Sequence, residues 1–165
     1  MIKCTKSDLK IDNIFSIKSS VETIFLSTEQ EVICFDDHQV NFEFDKFYNK
    51  DDKKCFLIIL NVEILPPDGN PGYKIMSTIH GYFTIDNNAE IDDNQIFDYH
   101  NTALAIIISY LRSHLRNITH EGIYGSYLLH SINIVDLLEQ KNQEFLKEKD
   151  IHQKERKIKK NKNRG

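Results

Sequence analysis

Residues 100–140 read HNTALAIIISYLRSHLRNITHEGIYGSYLLHSINIVDLLEQ, and this stretch decides the fold. Leu104, Ile107, Ile108, Leu111, Leu115 and Ile118 recur at the three- and four-residue spacing of one apolar helix face. Ala103, Ile106 and Tyr110 form a second apolar stripe on another side of the same helix. One small domain covers one such face, so the second stripe is expected to meet another subunit. Burial of both stripes inside a monomer is the alternative. The helix runs into a glycine-punctuated loop, Gly122-Ile123-Tyr124-Gly125, then Tyr127-Leu128-Leu129, and a second helix is expected from about Asn133.

Upstream of the helix the period changes from helical to alternating. Leu9 to Ile17 begins as a strand and breaks register near Asn13-Ile14, which suggests a bulge. Val40 to Asp45 alternates cleanly, with Val40, Phe42 and Phe44 on the buried face. Asn49 to Lys54 is polar and reads as a hairpin connection. Cys55 to Leu65 is a long β-rich run stopped by PPDGNPG at 66–72. Tyr73 to Ile85 is a fourth strand in which Gly81 permits a bulge or a close approach. Asp86 to Gln95 reads as an acidic loop. Four strands and then two helices predict an α+β domain with an antiparallel sheet.

The net charge of −4 hides an asymmetry. After Gln140 stand ten Lys/Arg and four Asp/Glu, leaving 11 basic and 21 acidic residues before it. The expected organisation is a folded domain over 1–146 and a basic, disordered tail over 147–165. The tail segment Lys154–Arg164 has no interleaved aromatics. A solubilising role is favoured over contact with nucleic acid or anionic surfaces.

The three cysteines, Cys4, Cys34 and Cys55, form no CxxC and leave an odd thiol, which fits a reducing compartment. No apolar run reaches the roughly 18 residues of a membrane span, and the first residues lack a signal-peptide core. The expectation is a cytoplasmic protein with no membrane insertion. The seven histidines (His38, His80, His100, His114, His120, His130 and His152) stand in no metal-ligand spacing. There is no phosphate loop, dinucleotide fingerprint or nucleophile elbow, and Asp36-Asp37, Asp51-Asp52 and Asp92-Asp93 read as solvated turns. No enzyme, cofactor or metal is expected.

The order of these features resembles the SecB family of export chaperones. The resemblance rests on Tyr110-Leu111-Arg112 in the long helix and Asn133-Ile134-Val135-Asp136-Leu137 opening the next. The IFSI beginning (14–17), the V-x-F-x-F-D strand (40–45) and HGYFTI (80–85) add to it. It covers roughly Leu9 to Phe145. It implies an ATP-independent chaperone that holds unfolded or nascent chains in apolar grooves. Burial of apolar side chains gives affinity without a fixed partner shape. The implied groove lining is Phe42 and Phe44 on the second strand, Tyr124, Tyr127 and Leu129 in the loop, and Leu138 on the second helix. For Phe42 and Phe44 ordinary core is an equal alternative; Tyr124 and Tyr127 are expected to be exposed in the groove.

The resemblance also implies a tetramer built as a dimer of dimers. Subunits would pair along the fourth strand with Ile75, Ser77 and Ile79 at the interface, and pack through Ala103, Ile106 and Tyr110. The family's acidic surface for the translocase motor SecA is not matched at Lys18 and Met76, although Glu22 is kept, so delivery for export is less well supported than holding. A chaperone dedicated to one client, such as the antitoxin of a toxin–antitoxin pair, is the first alternative. A nucleic-acid-associated protein acting through the basic tail is the second.

Overall fold

The structure is a computed structural model that describes residues 7–25, 33–52, 54–86, 92–141 and 143. The described residues fall into two compact units, one running to His130 and one beginning at Ser131. The basic tail at 147–165, Cys4 and His152 lie outside the described residues.

The first unit contains β1 (Leu9–Ile24), a short 3-10 turn (Phe35–Asp37), β2 (Gln39–Tyr48), β3 (Cys55–Leu65), β4 (Gly72–Ile85) and α1 (Asp93–Thr119). All strand pairs are antiparallel, in the order β1-β4-β3-β2. The polar 49–54 connection closes the β2–β3 hairpin, with the Asn49 amide donating to the Cys55 carbonyl at 3.0 Å. The register of β1 slips between Ile11 and Asn13, where the sequence breaks alternation, and again between Ser16 and Lys18. These bulges let β1 continue to Ile24, beyond the expected end at Ile17.

Alternation sends one side chain of each pair to an inner face that carries the core. Ile58, Leu60 and Ile64 of β3 and Ile75 and Ile79 of β4 are fully buried there, as are Leu104, Ile107, Leu111 and Leu115 of α1. Each such side chain contributes roughly 1.5–3 kcal/mol. The helix comes close because Gly81 has no side chain; a Cβ there would lie 2.6 Å from Ile107 Cδ1.

Three expectations are corrected. First, the acidic segment is not loop as far as Gln95: α1 starts at Asp93. The Asp92 carboxylate accepts the Gln95 amide (2.8 Å) and the Gln95 side chain accepts the Asp92 amide (3.2 Å), a capping box that satisfies two otherwise orphaned donors. Second, β4 is not an edge. It is hydrogen-bonded to β1 on one side and β3 on the other, so no second copy can pair along it, and Ile75, Ser77 and Ile79 are buried in the protomer. The edges are β1 and β2. Third, Ala103 of the second helix stripe is fully buried; Ile106 and Tyr110 remain half-exposed.

The second unit holds a helix, α2, over 134–141. Asn133 begins it: its side-chain oxygen accepts the Val135 amide (3.1 Å) and its carbonyl accepts the Leu137 amide (3.1 Å). Among the described residues no helix is long and apolar enough to cross a membrane.

Candidate functional site

Where α1 ends, buried hydrogen bonds fold the following loop onto the sheet. The Thr119 hydroxyl donates to the Leu115 carbonyl and accepts the Tyr127 amide, both at 2.7 Å. Gly122 lies against Tyr73 so closely that any Cβ would run into the tyrosine hydroxyl. That hydroxyl donates to the Gly125 carbonyl (3.0 Å) and accepts the Tyr124 amide (3.1 Å). Tyr124 in turn donates to the Ile24 carbonyl at the end of β1 (3.0 Å).

These constraints gather an aromatic cluster at one end of the first unit. Phe35 stacks on Tyr73 with centroids 5.7 Å apart and meets Tyr127 edge-on at 5.3 Å. His38 lies 5.8 Å from Tyr127, and Tyr124 lies 5.5 Å from Tyr73 and 6.4 Å from Phe25. Phe25, beside Tyr124, is 67% exposed, and Ile123 and Leu128, the chain neighbours of Tyr124 and Tyr127, are 66% and 61% exposed. Nothing in the spacing of Phe25, Phe35, His38 and Tyr73 joins them to the loop after α1: in sequence His38 is one of seven histidines without ligand spacing and Tyr73 the start of a strand.

The expected groove residues are distributed as follows. Tyr124 is half-buried in the cluster. Tyr127, expected to be exposed, is fully buried beneath Phe35 and His38. Burial, with the nearby Asp36 charge adding to it, pushes its phenol up to about 12, and among the described residues its hydroxyl has no hydrogen-bond partner. Burial lowers the pKa of the His38 imidazole, against a hydrogen bond to the Cys34 backbone and the charge of Asp37, which raise it. Leu129 is buried. On the inner face of β2, Phe42 is half-buried opposite Val62, and Phe44 is buried opposite Leu60. Leu138, in the second unit, is buried.

The outer face of the sheet is open. One depression of about 350 Å³ lies among Phe47, Leu57, Tyr82 and Thr84, and another of about 390 Å³ among Asn41, Glu43, Glu63 and Met76. Phe15 stacks on Tyr82 at 5.9 Å. Lys18 and Met76 share this face: Lys18 stands opposite Thr78, and Met76 opposite Ser20 and Glu63.

Among the described residues no three His, Cys, Asp or Glu side chains converge to hold a metal. Ser19 Oγ lies 2.7 Å from His114 Nε2 and 2.8 Å from Ser77 Oγ, tying α1 to β1 and β4. Nucleophilic use of such a serine calls for a third group to orient the base, and among the described residues no carboxylate pairs with His114.

No protein-family model matches the chain, and no curated protein does. Among solved structures, it is similar to a SecB-like chaperone of Mycobacterium tuberculosis solved in complex with a ChAD peptide from the HigA1 antitoxin. The match covers 75% of this chain and 90% of that one, with a TM-score of 0.59 and 10% identity. The fold is SecB-like. A protein of unknown function from Streptococcus agalactiae also matches, over 77% of this chain and 100% of that one, with a TM-score of 0.41 and 12% identity. The SecB-like fold accounts for the order of elements: a four-stranded antiparallel sheet followed by two helices.

Proposed function

We propose that this SecB-like chain is a molecular chaperone that holds unfolded or nascent polypeptides against apolar surface, without hydrolysing ATP. The observation that carries the reading is the likeness of fold to a SecB-like chaperone solved with a peptide bound. Exposed Phe25 beside Tyr124, with exposed Ile123 and Leu128 on the loop that carries Tyr124 and Tyr127, supports it. Scattered apolar side chains are ordinary on a surface, whereas a set gathered around one aromatic cluster marks an interaction site. Phe42, Phe44, Tyr124, Tyr127, Leu129 and Leu138 are the proposed groove lining. The buried members act by shaping the groove or become accessible when a client enters.

The same reading includes a cytoplasmic tetramer, with Ile106 and Tyr110 as the half-exposed helix positions that meet a second copy. A client-dedicated chaperone is the second reading, favoured by the antitoxin origin of the peptide in the similar structure. Delivery to SecA is the less supported branch, because Lys18 and Met76 stand on the outer sheet face where acidic residues would be needed.

The test is retention of an unfolded, slow-refolding protein by the wild-type chain and by the double variant Tyr127→Ser, Leu138→Ser, with light scattering as the control for assembly. Each apolar side chain contributes at most roughly 1.5–3 kcal/mol, so the double variant is expected to release the client at lower competitor concentration. Unchanged retention by a particle of unchanged mass would refute the groove assignment, and a wild-type chain that retains no unfolded protein would refute the chaperone reading.

A further inference from the structure

Client holding leaves one group of side chains without a role. β2 places Lys46 on the inner face of the sheet, between Phe44 and Tyr48 and opposite Ile58. It is the one charged residue among the inner-face positions of β2 and β3. From α1, Phe97, His100 and Asn101 face the same region, since residues three and four apart lie on one side of a helix.

The contacts of Lys46 and His100 are with aromatic rings. The Lys46 ammonium lies 5.9 Å from the centre of the Phe97 ring. His100 meets Phe56 edge-on at 4.6 Å and Tyr48 at 5.4 Å and is only 3% exposed. Among the described residues its Nε2 has no hydrogen-bond partner, and neither does the buried side-chain oxygen of Asn101. Among the described residues no carboxylate pairs with Lys46. A half-buried cation whose one printed contact is the face of an aromatic ring thus stands near a buried, unsatisfied imidazole nitrogen. The next residue of the helix adds an unsatisfied carboxamide oxygen, whereas buried polar groups are nearly always hydrogen-bonded. An unpaired charge away from water is the costliest member of such a set.

The complement to these groups is a small monoanion with two acceptor oxygens. One oxygen accepts from the ammonium, and the other from the Nε2–H tautomer of His100. The carboxamide, turned to present its NH2, donates to either. A dianion would leave a charge uncompensated. Phe56 and Tyr48 beside His100, and Phe97 beside Lys46, present rings suited to an apolar stem. We propose that Lys46, His100 and Asn101 form a binding site for a carboxylate carried on an apolar stem, either the C-terminus of a polypeptide or a free small acid. The site is independent of the client-holding reading.

The experiment is NMR of the histidine imidazoles in the full chain, titrated with three probes. These are hexanoate, a short peptide ending in phenylalanine with a free carboxylate, and the same peptide as its amide. Hexanoate, the acid peptide or both are expected to shift the His100 resonances and raise its titration above about 4, because a neighbouring anion favours the imidazolium. Response to hexanoate assigns free acids, and response to the acid peptide alone assigns a polypeptide terminus. Lys46→Met is expected to weaken binding about tenfold or more, and Lys46→Arg to keep it. Loss of a half-buried unpaired charge leaves the Lys46→Met fold intact, which its thermal melt checks. Equal binding of the amide, undiminished binding by Lys46→Met, or no response of His100 to any probe would overturn the proposal.

Discussion

His100 offers a prediction whose size follows from its surroundings. Burial between Phe56 and Tyr48 lowers its pKa from 6.5 to about 4, and the charge of Lys46 adds to the effect. The folded state therefore holds a neutral imidazole over a range in which the unfolded chain takes up a proton. Stability is complete above pH 6.5, falls as the pH drops below that value, and levels off near pH 4. The full span corresponds to about 3 kcal/mol, of which about 2 kcal/mol is lost between pH 7.5 and pH 5. His100→Leu removes the titrating group while keeping an apolar side chain at the site. Urea unfolding of both proteins at the two pH values, in a sulfonate buffer free of carboxylates, isolates the effect. The stability of the variant relative to wild type is expected to rise by about 2 kcal/mol on going to pH 5. His38 and His114, whose pKa values burial also lowers, are present in both proteins and cancel in the comparison. A relative stability that does not change with pH would refute the assignment of a buried neutral imidazole.

Other perturbations test the rest of the architecture. Tyr73→Phe removes the hydroxyl that bridges the Tyr124 amide and the Gly125 carbonyl and is expected to cost about 1–3 kcal/mol in urea unfolding; no loss would show that the bridge is not needed to hold the loop. Ile79→Asp puts a charge at a fully buried position of a central strand. It should cost about 3–5 kcal/mol or more and abolish the cooperative thermal transition seen by circular dichroism, whereas a stable, well-folded variant of smaller mass would return Ile79 to a subunit interface. Lys18→Asp combined with Met76→Glu is expected to strengthen calorimetric binding of the SecA tail peptide, more at low salt than at high salt, because these side chains are exposed on the outer face. Tight binding by the unmodified chain, unchanged by the substitutions, would contradict that surface assignment.

The sequence by itself determined the elements and their faces. Helical periodicity from Leu104 to Leu115, alternation in β2 and the β-rich runs of β3 and β4 each follow from local geometry, which repeats every few residues and is visible in one chain. The break at Asn13 and the role of Gly81 were legible for the same reason: a slip in alternation or a missing side chain has a local signature. The Asp92–Gln95 capping box was also local and readable, but the run of acidic residues masked it.

Only the tertiary structure decided what lies beside what. That β4 is central and β1 and β2 are the edges is a matter of strand order, and each strand's own pattern is compatible with several orders. Tyr127 illustrates the same limit for the site. Its setting in the loop that carries Gly122 and Gly125 suggested exposure, yet the Thr119 hydroxyl, Phe35 and His38 bury it. Lys46 meets Phe97 and His100 across most of the chain's intervening elements. Burial, pairing and pKa depend on neighbours that are distant in sequence, so they are properties of the packed chain and have no counterpart in any local pattern.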